Sequence, residues 1–107
     1  YYPGDYFVDI VGLDCYTDDI RMIGNFGSYN DLLIHDKPLA LTEFGPQKRR
    51  NGSFDNRSMI ALHYLYPRFS YFLYWHSYRR SNMAIADQVF AREMMTDKSI
   101  LNRANIP

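Results

Sequence analysis

A chain of 107 residues with 47% hydrophobic and 17% aromatic side chains has enough apolar surface for a packed core, and its length fits one small domain or part of a larger one. Twelve basic and twelve acidic residues cancel to a formal charge of zero, which disfavours a dedicated nucleic-acid or acidic-membrane binder. The single cysteine, Cys15, excludes an internal disulfide and a cysteine metal cage, and no apolar run reaches the roughly 18 residues of a membrane span.

In chain order, residues 1–5 read as a turn, because Pro3-Gly4-Asp5 joins a fixed φ, a permissive residue and a capping side chain. Residues 7–13, FVDIVGL, read as a strand buried on both faces, with Asp14, Cys15 and Tyr16 at its end. Residues 17–30 are polar and twice interrupted by glycine, which predicts a loop with at most a ragged helical turn over 20–23. A short helix over 29–35 would turn Leu32 and Leu33 inward. A second strand over 38–42 follows, then a charged loop over 47–53 with an Asn51-Gly52 turn. Asp55 can cap a helix over 56–66 that Pro67 ends, with Met59, Leu62, Leu65 and Tyr66 buried. The third strand is 69–75, FSYFLYW, and a polar loop over 77–82 leads to a helix over 87–95 with Val89, Phe90 and Met94 as its apolar stripe. The tail, 96–107, reads as a turn of helix and an extended end.

Within this order KPLALTEFGP, residues 37–46, stands out. Pro38 forces Lys37 to be extended, and an apolar run then delivers Glu43 to a strand end that Phe44, Gly45 and Pro46 close. In parallel α/β folds that carboxyl end is where chemistry is placed. Strand, crossover, strand, crossover, strand, helix implies right-handed parallel units without a dividing linker, so residues 1–107 form one unit. Three such strands cannot close a barrel and would leave apolar edges open, so the expectation is a portion of a larger structure.

YYPGDYFVDIVGLDCY, KPLALTEFGP, FSYFLYWHS and the final MMTDKSILNRANIP, in that order, resemble the last part of glycoside hydrolase family 26, the β-mannanase family. The resemblance implies an α/β fold in which this chain is the carboxy-terminal segment, about strands 6 to 8, of a (β/α)8 TIM barrel. It implies that Glu43 is the catalytic nucleophile of a retaining endo-β-1,4-mannanase. Tyr16 then matches the tyrosine that holds the nucleophile beside the sugar, and Trp75 an aromatic platform for it. His76, next to Trp75, is a further candidate for contacting sugar hydroxyls. The family's acid/base glutamate lies on a strand with no counterpart here, so the chain alone is expected to be inactive and to need the missing amino-terminal part of the barrel.

The partner implied is β-mannan or a related plant polysaccharide, with no cofactor, no metal and no nucleic acid, and the setting a secreted or cell-surface one. YYPGDYF itself lacks the basic and apolar regions of a signal peptide. A catalytically silent carbohydrate-binding fragment, or a β-1,3-xylanase or β-glucanase of the same family, are the alternatives. Asp14 reads either as assisting the site or as capping a loop. His35 and His63 read as surface or helix residues, since the histidines lack metal-ligand spacing. Lys48-Arg49-Arg50 and Arg79-Arg80 read as solvated loop, and the Asn51-Gly52-Ser53 and Asn56-Arg57-Ser58 glycosylation patterns carry no functional claim.

Overall fold

The computed structural model describes residues 2–24 and 28–107; the turn expected over 1–5 and the loop expected over 17–30 fall partly outside them. Strands β1 (Val11–Tyr16), β2 (Leu39–Gly45) and β3 (Phe69–Tyr74) form one parallel sheet in the order β1-β2-β3, as the alternation of apolar runs and crossovers predicts. Short helices α1 (Ser28–Leu32), α2 (Leu62–Leu65) and α3 (Ala91–Met95) lie with several 3-10 turns on one side of it. Val11, Cys15, Leu39, Leu41 and Phe44 face that layer and pack in one core with Ile20, Ile23, Tyr29, Met59, Leu62, Tyr66 and Met94. No helix among the described residues is long and apolar enough to cross a membrane.

Among the described residues no second layer covers the opposite face of the sheet. Tyr71, Leu73 and Trp75 are 45%, 57% and 38% exposed there, an apolar row that a folded protein rarely leaves open to water. Behind β3 a second uncovered hollow of about 320 Å³ is lined by Met59, Leu62, Phe69, Phe72, Ile85 and Ile100. β1 and β3 are the edges of the sheet, each with β2 as its one strand neighbour among the described residues.

Several boundaries differ from the sequence expectation for identifiable reasons. The first strand is not 7–13: Gly4, at φ 104°, turns the chain so that Phe7 N–H donates to the Gly4 carbonyl, and residues 5–7 form a 3-10 turn. The ladder begins at Val11, whose N–H donates to the Pro38 carbonyl, the first partner β2 offers. Asp14, Cys15 and Tyr16 therefore lie inside β1. β2 likewise continues through Phe44 and Gly45, because Phe44 is fully buried against Phe54 and Tyr74, at ring-centroid distances of 5.7 and 5.1 Å. The helix at 29–35 is shorter than expected, and Leu33 is half exposed. Its anchor is Tyr29, whose ring meets Tyr66 at 4.9 Å and Phe69 at 5.0 Å.

The helix over 56–66 is present with Asp55 as its cap, accepting from Arg57 N–H, and its first part is 3-10. Ser58 Oγ donates back to the Asp55 carbonyl, a local bond that tightens the first turn. Met59, Leu62 and Tyr66 are buried, whereas Leu65 is half exposed. The last helix does not span 87–95. Val89 is held extended by pairing with Asp55, its carbonyl accepting from Asn56 N–H. Phe90 turns at φ 59° before α3 and sits under the Arg57 guanidinium, 3.7 Å from the ring centroid, so only Met94 of the expected stripe is buried. The tail holds a 3-10 turn at Arg103–Asn105 capped by Asn102, close to the expectation.

Candidate active site

The site is built on a register fault in β2. Leu13 of β1 pairs with Leu41, but Asp14 pairs with Glu43, so Thr42 is an extra residue bulged out of the ladder. Toward β3 the count agrees: Leu41 pairs with Phe72 and Phe44 with Tyr74, one more residue on β2 than on β3. Strand side chains alternate, so without the bulge Glu43 would share the side of Leu39 and Leu41 and enter the core. With it, Glu43 turns to the open face and Phe44 takes the buried side. Bulges recur next to active sites because they re-aim a side chain in this way.

On that open face Tyr16 of β1 donates its hydroxyl hydrogen to Glu43 Oε1. Burial, then the bond to the Glu43 carboxylate and the negative charges of Glu43 and Asp14, raise the phenol pKa, with Arg50, 6.0 Å from the ring centroid, working against them. Tyr16 is thereby kept protonated as a donor at neutral and alkaline pH. Gly45 allows the ring its place: a Cβ there would lie 2.8 Å from Tyr16 Cε1. Asp14, one row earlier, accepts from Thr42 Oγ1 at 2.9 Å and lies inside the strand, where it caps no loop.

Trp75 reaches the same rim from β3. Its N–H donates to the Phe44 carbonyl at 2.7 Å, continuing the ladder one residue beyond the strand, and its exposed indole ring is tilted 39° from that of His76 at 4.9 Å. Tyr16 and Trp75 thus flank β2 from either side near Glu43, and His76 lies one residue farther out. Neither the hollow behind β3 nor a shallow one beside Asp18, Phe54 and Leu65 is lined by any of these four residues.

The loops that leave the rim are tied to one another. The Asp18 carboxylate accepts from the backbone N–H groups of Lys48 and Arg49, each at 3.0 Å, and Thr17 N–H donates to the Gly45 carbonyl at 3.1 Å. Asn82 N–H donates to the Arg50 carbonyl at 2.8 Å, and Ser77 Oγ accepts from Met83 and Ala84 N–H while donating to Asp87. Lys48 and Arg49 remain exposed. Asn56 is fully buried between Tyr74 Oη and the Ile85 carbonyl, which removes it as a glycosylation acceptor. His35 binds Asp5 through Nδ1 at 2.8 Å, both residues preceding the strands whose far ends form the rim, and His63 is exposed on α2.

Thr42 and Gly45 carry parts of this geometry that the sequence reading did not assign. Their signal is the spacing of buried apolar residues in LALTEFG: Leu39 and Leu41 are two apart, but Leu41 and Phe44 are three apart, which marks a bulge between them.

Residues 1–104 match the model of glycosyl hydrolase family 26. The chain is 36% identical over 107 residues to mannan endo-1,4-beta-mannosidase A and B of Caldalkalibacillus mannanilyticus, covering 99% of this chain and 20% of that protein. It is 47% identical over 76 residues to a mannan endo-1,4-beta-mannosidase of Bacillus subtilis strain 168, covering 70% of this chain and 20% of the relative. Among solved structures, Bacillus subtilis mannanase BCman superposes with a TM-score of 0.76 at 39% identity, over 90% of this chain and 26% of the other. The YdhT protein from Bacillus subtilis does so at 0.74 and 39%, with the same coverage. The chain therefore spans about a fifth of the curated relatives and about a quarter of the solved structures. A parallel α/β sheet with a carboxylate held at its rim, matched along nearly all of its length, belongs to glycosyl hydrolase family 26.

Proposed function

We propose that this chain is the part of a retaining endo-β-1,4-mannanase that holds about strands 6 to 8 of a (β/α)8 barrel, with Glu43 as its nucleophile. The observation that carries the reading is Glu43 itself. A bulge turns it away from the core, and a protonated tyrosine holds it at the rim where parallel strands end, in a member of family 26. The open row of Tyr71, Leu73 and Trp75 and the two unpaired edges suit a sheet that continues into a closed barrel, whose interior is filled by such side chains.

In a retaining hydrolase two carboxyl groups lie about 5 to 5.5 Å apart. Glu43 attacks the anomeric carbon as the glycosidic C–O bond breaks, while an acid/base carboxyl protonates the leaving oxygen. That second group then takes a proton from water, which displaces Glu43 and restores the carboxylate. In this reading the acid/base belongs to the amino-terminal part of the barrel. Tyr16 keeps the Glu43 carboxylate in its attacking orientation and lies beside the bound sugar. Trp75 offers an indole face to the apolar face of a pyranose, and His76 a ring nitrogen to its hydroxyls. The substrate, β-mannan, is carried over from the mannan endo-1,4-beta-mannosidases that the chain matches, and its polymeric nature fits a secreted or cell-surface enzyme.

The test uses the enzyme containing all eight strands. Glu43→Ala is expected to lower turnover of β-mannan by a factor on the order of 10³ or more. Azide should restore activity with an activated aryl β-mannoside and yield the α-mannosyl azide, since it attacks from the face that Glu43 leaves vacant. Wild-type turnover by Glu43→Ala would refute the nucleophile. Cleavage of β-1,3-xylan or β-glucan but not mannan by the unmodified enzyme would overturn the substrate.

A further inference from the structure

We propose that Thr42 and Asp14 are a positioning pair that fixes the bulge and so aims Glu43; the inference rests on Glu43 being the nucleophile. A bulged residue gives up its place in the ladder, so something other than regular pairing must hold it. Among the described residues the side-chain partner of Thr42 is Asp14, whose Oδ1 accepts from Thr42 Oγ1 at 2.9 Å. Room for the threonine comes from β1 as well. A Cβ at Gly12 would lie 2.9 Å from Thr42 Cβ and closer still to its Oγ1 and Cγ2, so a side chain there would push Thr42 out.

The open row of β1 therefore acts as a template read two residues at a time. Gly12 makes space for Thr42, Asp14 holds it, and Tyr16 holds the next residue, Glu43. Asp14 stands opposite Glu43 in the register, which places the anchor directly beside the residue it orients. If the Thr42 bond is lost, the strand can relax toward regular alternation, and that movement carries the carboxylate away from the open face. A bond of this kind between partly exposed side chains adds little to folding stability. Its effect belongs in the attack step, where a misplacement of about 1 Å costs on the order of 10²-fold.

The experiment measures kcat and KM on β-mannan with the eight-stranded enzyme. Thr42→Val, which keeps the shape and removes the hydroxyl, and Asp14→Ala are each expected to lower kcat about 10- to 100-fold with KM changed less than about 3-fold. Thr42→Ser and Asp14→Asn, which each keep the atom that makes the bond, should recover most of that loss. The double variant Thr42→Val/Asp14→Ala should be no worse than the poorer single one, because both remove the same contact. Should Glu43→Ala abolish turnover while Thr42→Val and Asp14→Ala stay within about 2-fold of wild type in kcat, the positioning inference falls alone. Additive losses, or a lowered melting temperature with unchanged kcat, overturn it too. If Glu43→Ala itself keeps full activity, the nucleophile reading falls first.

Discussion

Gly45→Ala should disable the site through a side chain it never replaces. Gly45 pairs with Tyr16 across the sheet and has no positive φ, so alanine meets no backbone strain there. The conflict is one of space: the added Cβ would lie 2.8 Å from Tyr16 Cε1 and 3.1 Å from Cδ1, with Met83 Sδ 3.5 Å away on the other side. Carbon atoms rest at about 3.5 to 4.0 Å, so the ring must retreat roughly 0.7 to 1.2 Å, which pulls its hydroxyl back from Glu43 and stretches that hydrogen bond. Loss of a bond to a charged group is worth about 1.5 to 3 kcal/mol, which corresponds to a kcat lower by roughly 10- to 150-fold. The assay is steady-state turnover of β-mannan by the eight-stranded enzyme, for Gly45→Ala alone and in a Tyr16→Phe background, where the hydroxyl is already absent. Gly45→Ala should cost little there. A native kcat for Gly45→Ala, or an equal penalty in both backgrounds, refutes the steric argument.

Asn56→Ala should destabilise the same enzyme by about 1 to 3 kcal/mol, because it removes the acceptor of the half-buried Tyr74 hydroxyl and one of the two donors to the Ile85 carbonyl, which keeps Gln88 N–H; a urea midpoint that converts to less than about 0.5 kcal/mol rejects this. The isolated 107-residue chain should self-associate through its two free edges and the row of Tyr71, Leu73 and Trp75, and should not turn over mannan. Sedimentation velocity with thermal unfolding is the check, and a monodisperse monomer with a cooperative transition sinks the expectation.

The order and direction of the strands were legible because three apolar runs separated by crossovers admit few other arrangements. The same was true of the Asp55 cap, the Asn51-Gly52 turn, where Gly52 takes φ 87°, and the turn of helix at Ile20–Met22. Each of these is encoded within a few neighbouring residues. Strand ends were not legible, because they depend on partners: β1 starts at Val11 because Pro38 offers its carbonyl there, and Phe44 stays in β2 because Phe54 and Tyr74 cover it. Phe90 failed for the same reason, since its apolar side chain is stacked under Arg57, a residue far from it in sequence. For Glu43 the strand-end argument gave its place on the sheet but not its direction, which comes from one extra residue in the strand.

That extra residue ties the two strands together functionally. In a regular β2 the apolar alternation begun at Leu39 and Leu41 would continue through Glu43, and a carboxylate would be buried without a partner at a cost of several kcal/mol. The bulge avoids this, and the open row of β1, Gly12, Asp14 and Tyr16, is matched to it residue by residue. Within the proposed mechanism, the aim of the nucleophile is thus fixed by two adjacent strands and does not depend on the distant carboxyl that protonates the leaving group. Orientation of the attacking group and supply of the acid are separable, so variants at the bulged Thr42 of β2 should lower kcat without altering the pH limb set by the acid/base. A shift of that limb in Thr42→Val would show instead that the two carboxyl groups are coupled through the strand pair.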